Sequence, residues 1–202
     1  MVSGGIFILF DTIPLYYQVT LGLLLLLFAW LIYYRFRRVH SALRIIDEIL
    51  KPYRRDEVDH LIIPDGMGGL MEIERLVLTE QGLLIIETYP ISGHLFGADH
   101  IEQWTQIING KSYKFTNPLR HCHNIRESLQ ALVPKIPVFC RVVFTADSNF
   151  PKGKPAEASV LATLADDLAE VFDDAKAPQR LDDAWQRITR IGRKDQQPLV
   201  NE

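Results

Sequence analysis

The chain has 202 residues, with 22 Lys and Arg against 25 Asp and Glu, a formal net charge of −3, and 48% hydrophobic residues. That length supports one ordinary domain plus an appendage, and that composition excludes a disordered, a collagenous or a disulfide-framework chain. A slightly acidic chain also lacks the overall basic surface that tight non-specific DNA binding needs.

Charge is unevenly placed. Residues 1–34 hold no Lys or Arg and one acid, Asp11, so every basic residue lies in residues 35–202. The uncharged stretch from Thr12 to Tyr34 contains five successive leucines, Leu23 to Leu27. About 20 apolar residues cross a hydrocarbon layer roughly 30 Å thick, so residues 12–34 are expected to be a single membrane-spanning helix. Pro14 sits at its start, where a missing N–H costs least. Tyr16 and Tyr17 at one end, and Trp30, Tyr33 and Tyr34 at the other, suit the membrane interfaces. Arg35, Arg37 and Arg38 follow at once, which predicts a C-terminal part in the cytoplasm and a short N-terminus outside. A cleaved signal peptide would carry its charges before the apolar core instead. Met1 to Phe10 is apolar too, but too short to span.

Beyond the anchor, Val39 to Tyr53 carries Leu43, Ile45, Ile46, Ile49 and Leu50 at helical spacing, with Pro52 as its stop. His60 to Ile63 reads as a short strand. Met71 to Thr79 and Leu83 to Thr88 read as a hairpin turning at Glu80-Gln81-Gly82. Another short strand, His94 to Phe96, is bracketed by Gly93 and Gly97. Asn117-Pro118 starts a helix to about Val133, with Asn as cap and Pro at the first position. Pro137 to Thr145 is β-branched and aromatic, as a strand buried on both faces would be. Ala156 to Asp173 reads as an acidic amphipathic helix, and Leu181 to Ile191 as a short one before a polar tail. The predicted organisation is a segment 1–38 with the anchor, a domain 39–175, and a terminal helix and tail 176–202. Its class is α/β, with a mixed sheet flanked by helices.

Few motifs carry chemistry. Cys122 and Cys140 are the only cysteines, and a cytoplasmic placement predicts two reduced packing thiols. His121 and His123 lie about 200° apart around a helix, so they do not share one metal ion. Gly66-Met67-Gly68-Gly69 lacks the Lys of a phosphate loop and reads as a turn. No Gly-x-Ser-x-Gly elbow occurs. The suggestive group is Glu72, Glu74 and Glu87 on the hairpin. Strict alternation puts Glu72 and Glu74 on one face, with Met71 and Ile73 towards the core. Carboxylates on neighbouring strands can hold Mg²⁺, although charged strand faces are more often simply solvated.

The runs Met71-Glu72-Ile73-Glu74-Arg75-Leu76-Val77-Leu78-Thr79 and Gly82-Leu83-Leu84-Ile85-Ile86-Glu87-Thr88-Tyr89, then Ser92-Gly93 and Gly97, resemble the core of the NERD (nuclease-related domain) family. Trp104-Thr105-Gln106, Tyr113 to Arg120 and Val142-Val143-Phe144-Thr145 continue the resemblance over roughly residues 40–150. It implies a restriction-endonuclease-like core of the PD-(D/E)xK type, in which an Asp and a Glu hold a metal and a Lys two positions on helps activate water. Here the Asp position is Glu74, the Glu position is Glu87, and the Lys is replaced by Tyr89. His121 stands where the family has Gln after Asn-Pro, and Ser41-Ala42 where it has Gly-Glu. Lys111 and Lys114 are the nearest cations in sequence that could substitute. The resemblance therefore implies a membrane-anchored, catalytically degenerate nuclease-like domain that binds nucleic acid or protein at the cytoplasmic face. Two alternatives stay open: an active Mg²⁺-dependent nuclease with Glu74 and Glu87 as metal ligands, and a structural partner of another membrane protein.

Overall fold

The computed structural model describes residues 14–173 and 178–194, with backbone only at 15, 35–40 and 193–194. The apolar stretch Met1 to Phe10, the first residues of the expected span and the tail from 195 lie outside the described residues. The chain forms two compact units, one ending at Ser41 and the other starting at Ala42. Helix α1 (Leu15–Leu50) starts in the first and ends in the second; its part in the first contains Tyr16–Tyr34, a stretch long and apolar enough to cross a membrane and nowhere covered by protein. The separate helix expected from Val39 is the continuation of α1. Residues 35–41 contain neither Gly nor Pro, so nothing interrupts the hydrogen-bond ladder until Pro52 approaches.

The second unit is a mixed α/β domain built on two sheets. The main sheet comprises β1 (Asp56–Pro64), β2 (Leu70–Leu78), β3 (Leu83–Tyr89), β7 (Val138–Phe144), β9 (Ala158–Val160) and β10 (Arg193–Lys194), in the order β10-β1-β2-β3-β7-β9. Strands β1 to β3 run antiparallel, whereas β3–β7 and β7–β9 are parallel. A smaller sheet has the order β6-β5-β4-β8, from β4 (Gly93–Phe96), β5 (Gln103–Ile108), β6 (Lys111–Thr116) and β8 (Ser148–Asn149). Three further helices complete the unit: α2 (Pro118–Leu132), α3 (Leu164–Asp173) and α4 (Leu181–Ile191).

Alternation along β3 divides the core. Leu83 and Ile85 pack with Ile125 and Leu129 of α2 and Trp185 and Ile188 of α4. Leu84 and Ile86 pack on the other face with Ile46 and Leu50 of α1 and Leu164 and Leu168 of α3. Burying each such aliphatic side chain stabilises by about 1.5–3 kcal/mol. The anticipated cap on α2 is present: the Asn117 side chain accepts from the Leu119 N–H at 2.9 Å. Its amide also donates to the carbonyls of Asp99 and Ile101, at 3.1 and 2.9 Å, and so pins the loop after β4.

Other elements differ from expectation. Strand β1 is nine residues long, because Asp56 to Val58 also pair with Leu76 to Leu78. The β5–β6 hairpin, unread in the sequence, turns at Asn109-Gly110, both at positive φ as a type I′ turn requires. Gly97 has no room for a side chain, since a Cβ would lie 2.2 Å from the buried Trp104 ring. The helix expected from Ala156 begins only at Leu164. Ala158 to Val160 instead extend the main sheet parallel to β7. The Thr163 hydroxyl holds the Asp167 carboxylate at 2.8 Å and marks where strand gives way to helix. Finally, Cys122 of α2 and Cys140 of β7, expected as two separate thiols, are brought together in the core with Cα atoms 6.1 Å apart and pair as a disulfide, a bond that a reducing cytoplasm would keep open.

Candidate active site

The site lies where the β1–β2 ladder kinks. Val58, Leu61 and Ile63 of β1 face the same core, as do Leu76 and Ile73 of β2. A spacing of three replaces two at one level of both strands. The register stays constant across it, from Asp59↔Arg75 to Leu61↔Ile73, while His60, opposite Glu74, takes a φ of 52°. Such a backbone costs a non-glycine residue on the order of 1–2 kcal/mol. The kink keeps Leu61 and Ile73 buried and directs Asp59, His60, Glu74 and Arg75 into one cleft of about 200 Å³, with Ile46 and Thr88 on its wall.

The β2–β3 ladder also ends here. Cα pairing runs from Leu78↔Leu83 to Arg75↔Ile86 and stops at the level of the two glutamates. Side chains replace the ladder: the Glu74 N–H donates to Glu87 Oε1 at 3.0 Å, and the Thr88 N–H donates to Glu74 Oε2 at 2.6 Å. The Thr88 hydroxyl donates to Glu74 Oε1 at 2.5 Å. Each carboxylate takes the place of a backbone acceptor on the opposing strand, so the two strands open without leaving these amides unsatisfied.

Burial dominates the electrostatics. The Glu87 carboxyl is pushed up to about 7, first by desolvation and further by the charges of Glu74 and Glu72, against the lowering by the Glu74 N–H and His60. Tyr89, two residues on and on the same face, is also raised, by burial first and then by Glu87 and Glu74. It stays a neutral phenol at pH 7, its ring 6.2 Å from that of Phe144. On α2, His121 Nε2 lies 3.9 Å from Glu87 Oε2. His60, hydrogen-bonded to Glu72 at 2.8 Å, is raised chiefly by that bond.

Of the residues singled out in the sequence, Glu87, Tyr89 and His121 lie together on the α2 face of β3, while the Glu74 carboxylate turns to Thr88 and the cleft beside α1, and only its N–H meets Glu87. Glu72 does not join them; it is exposed and holds His60. Lys111 and Lys114 are exposed on β6, and neither is among the main charges acting on Glu87. His121 and His123 point to different partners, Glu87 and Glu157. His60 and Thr88 carried no signal in the sequence, because both enter through the kink rather than through a motif. No cluster of three or more His, Cys, Asp or Glu suited to a metal occurs among the described residues. Mg²⁺, however, needs only one or two carboxylates beside its waters, and a buried carboxyl with no Lys or Arg in contact is a suitable donor. Glu87 fits such an ion; the Glu74 carboxylate would have to give up its bonds to Thr88 to join it.

A mixed sheet whose central hairpin opens onto two glutamates defines an α/β protein with an acidic notch at the sheet's end. The family model for the nuclease-related domain, NERD, matches residues 34–145, more than half of the chain, and the protein belongs to that family. An uncharacterized protein of Bacillus anthracis is 27% identical over 66 residues, which cover 33% of this chain and 31% of that protein. The match thus spans less than a third of the relative's length. No solved structure matches the chain.

Proposed function

We propose that this nuclease-related domain is tethered to the membrane by α1, faces the cytoplasm, and has a degenerate catalytic centre that leaves it a binding module for nucleic acid or protein. Arg35, Arg37 and Arg38 directly after the apolar stretch support the orientation. The observation that carries the reading is Tyr89. The position where the resemblance expects a lysine holds a half-buried phenol that stays neutral beside two carboxylates. Loss of a preorganised positive group costs catalysis about 10²–10³-fold. Glu74 in place of Asp moves its carboxylate by a methylene, and a misplacement of about 1 Å costs on the order of 10²-fold. The two losses are not simply multiplicative, but they act in the same direction.

The buried Glu87 carboxyl, hydrogen-bonded to the backbone of Glu74, favours a second reading, an active Mg²⁺-dependent nuclease. In that case the two glutamates would hold the ion, which when bound polarises a phosphoryl oxygen and lowers the pKa of its water. Arg75, His60 and His121 would then be the basic side chains beside the two glutamates.

One assay separates the readings. The full chain in detergent is incubated with single- and double-stranded DNA and RNA in Mg²⁺ or Mn²⁺, beside Glu87→Ala and Tyr89→Lys. The degenerate centre predicts no cleavage by the natural chain, and cleavage gained in Tyr89→Lys that needs metal and Glu87. Metal-dependent cutting by the natural chain, abolished in Glu87→Ala, would establish the enzyme instead. Stable co-purification with a membrane protein, without nucleic-acid affinity, would point to the structural role.

A further inference from the structure

The smaller sheet has two unlike faces. Its inner face carries Leu95, Trp104 and Phe115, which belong to the core or pack against it. The register fixes what the outer face carries. Phe96, Thr105 and Lys114 form one row across β4, β5 and β6, and His94, Ile107 and Ser112 form the next. Asn149 of β8 extends the second row and meets His94 at 2.6 Å. Lys152 reaches over the Phe96 ring, its Nζ 5.9 Å from the centroid. His94, Ser112, Lys114, Asn149 and Lys152 are exposed, and Phe96, Thr105 and Ile107 are half-exposed.

Charge distinguishes this face from the rest of the molecule. The chain has 25 acids against 22 basic residues, yet none of these face positions is Asp or Glu. The nearest acids in sequence, Asp99, Glu102 and Asp147, lie in the flanking loops. Neither Lys114 nor Lys152 forms an ion pair with a described residue. A flat, acid-free sheet surface with an accessible ring, a histidine and two unpaired ammonium groups has what single-stranded nucleic acid needs. Once Lys152 swings from over Phe96 to a phosphate, the ring offers a surface on which a base stacks, and the two ammonium groups neutralise neighbouring phosphates. Duplex DNA suits it poorly, because paired bases offer no free face and the surface has no helix or ribbon to enter a groove.

We propose that this outer face, centred on Phe96, Lys114 and Lys152, is a binding platform for single-stranded nucleic acid. It deepens the binding-module reading given above, but it uses none of the residues of the Glu74–Glu87 notch. The platform therefore stands or falls by binding, and the degenerate centre by cleavage.

The test uses the full chain in detergent with EDTA present, so that metal-dependent cleavage does not interfere. Fluorescence anisotropy follows fluorescein-labelled oligo(dT), oligo(rU) and a duplex of equal length over a series of salt concentrations. The expected result is single-strand binding that weakens with salt and exceeds duplex binding. Lys114→Glu with Lys152→Glu should weaken it at least about tenfold and reduce the log–log salt slope by about 1.4, at roughly 0.7 for each phosphate no longer neutralised. Phe96→Ala should weaken it on the order of tenfold with little change in slope, as loss of one stacked base does. Lys135→Glu, a charge reversal at an exposed turn away from this sheet, should bind nearly as the natural chain does. Because both lysines are exposed, their double variant tests the idea even if Phe96→Ala fails to fold. No binding, equal binding to duplex, or binding indifferent to the two lysine reversals would each overturn the platform. A choice between oligo(dT) and oligo(rU) identifies the strand as DNA or RNA.

Discussion

A half-buried and a buried carboxyl in this domain meet opposite fates. Asp167 on α3 accepts from Lys154 Nζ at 2.6 Å, Ser159 Oγ at 2.6 Å and Thr163 Oγ1 at 2.8 Å. Burial pushes its pKa up, but these three donors and the lysine's charge hold it below the usual carboxylate range. Glu87 on β3 receives one backbone N–H and no Lys or Arg, and burial wins, raising it to about 7. Burial alone therefore does not set the charge state; the first neighbour does. A fully supplied carboxylate is structural here, and the undersupplied one lies at the opening of the sheet.

The largest effect should come from Asp167→Ala, which breaks the supplied site. It leaves Lys154, Ser159 and Thr163 without their acceptor and removes the nearest charge favouring the buried Arg141 guanidinium. Because Lys154 and Asp167 both retain solvent, the loss stays at about 3 kcal/mol, no more than the least that breaking a fully buried pair costs. Thermal unfolding of the full chain in detergent at pH 7 measures it. The sign follows from the lowered pKa. Asp167 stabilises the fold above the unfolded carboxyl's pKa of about 4, and that contribution fades as pH falls through its lower folded value.

Glu87→Gln tests the undersupplied site and should act in the opposite direction. A folded pKa above the unfolded one means that ionisation destabilises the fold. The natural chain should therefore lose stability as pH rises from about 4.5 to about 7. Glutamine keeps the acceptor for the Glu74 N–H but cannot ionise. In EDTA the variant should equal the natural chain near pH 4 and exceed it by about 2–3 kcal/mol at pH 8. Equal melting temperatures at pH 8 would show that Glu87 is not held in the neutral form.

The contrast between these acids also shows what the sequence makes legible. Leu181 to Ile191, Asn117-Pro118 and the hairpin turn at Glu80-Gln81-Gly82 speak through local chemistry, and the structure follows them. Glu74, Glu87, Tyr89 and His121 could be singled out by resemblance; Glu87, Tyr89 and His121 share one side of β3, and Glu74 meets Glu87 through its N–H. His60 and the Ala158–Val160 strand could not be read. His60 enters the cleft through a kink shared by two strands, and Ala158–Val160 forms a strand only because β7 lies beside it. The Asp167 cluster was hidden for the same reason, since Lys154 and Ser159 join it through the loop and strand before α3.

Tyr89→Lys would turn one environment towards the other. Residue 89 shares the face of Glu87 and already feels its charge. An ammonium there should pull the Glu87 pKa down by about 1–3 units, as an opposite charge within a few ångströms does. The pH slope of stability between about 4.5 and 7 should flatten accordingly. Carboxyl NMR shifts of the variant in EDTA read the change directly. A pKa that stays near 7 would place the new ammonium out of reach of Glu87.

Thr163→Val makes the finest cut in the comparison. It keeps shape and volume near the start of α3 but removes one of the three donors to Asp167. Lys154 and Ser159 remain, so the carboxylate stays charged and its pKa rises only part of the way towards the ordinary value. Loss of one hydrogen bond to a charged group predicts a destabilisation of about 1–2 kcal/mol at pH 7. That cost should shrink below about pH 4, where the carboxyl takes up a proton in both proteins. If the cost instead stayed constant across pH, Thr163 would be acting as a helix-start residue through Leu164 and α3, and the low pKa of Asp167 would be owed to Lys154 and Ser159 alone.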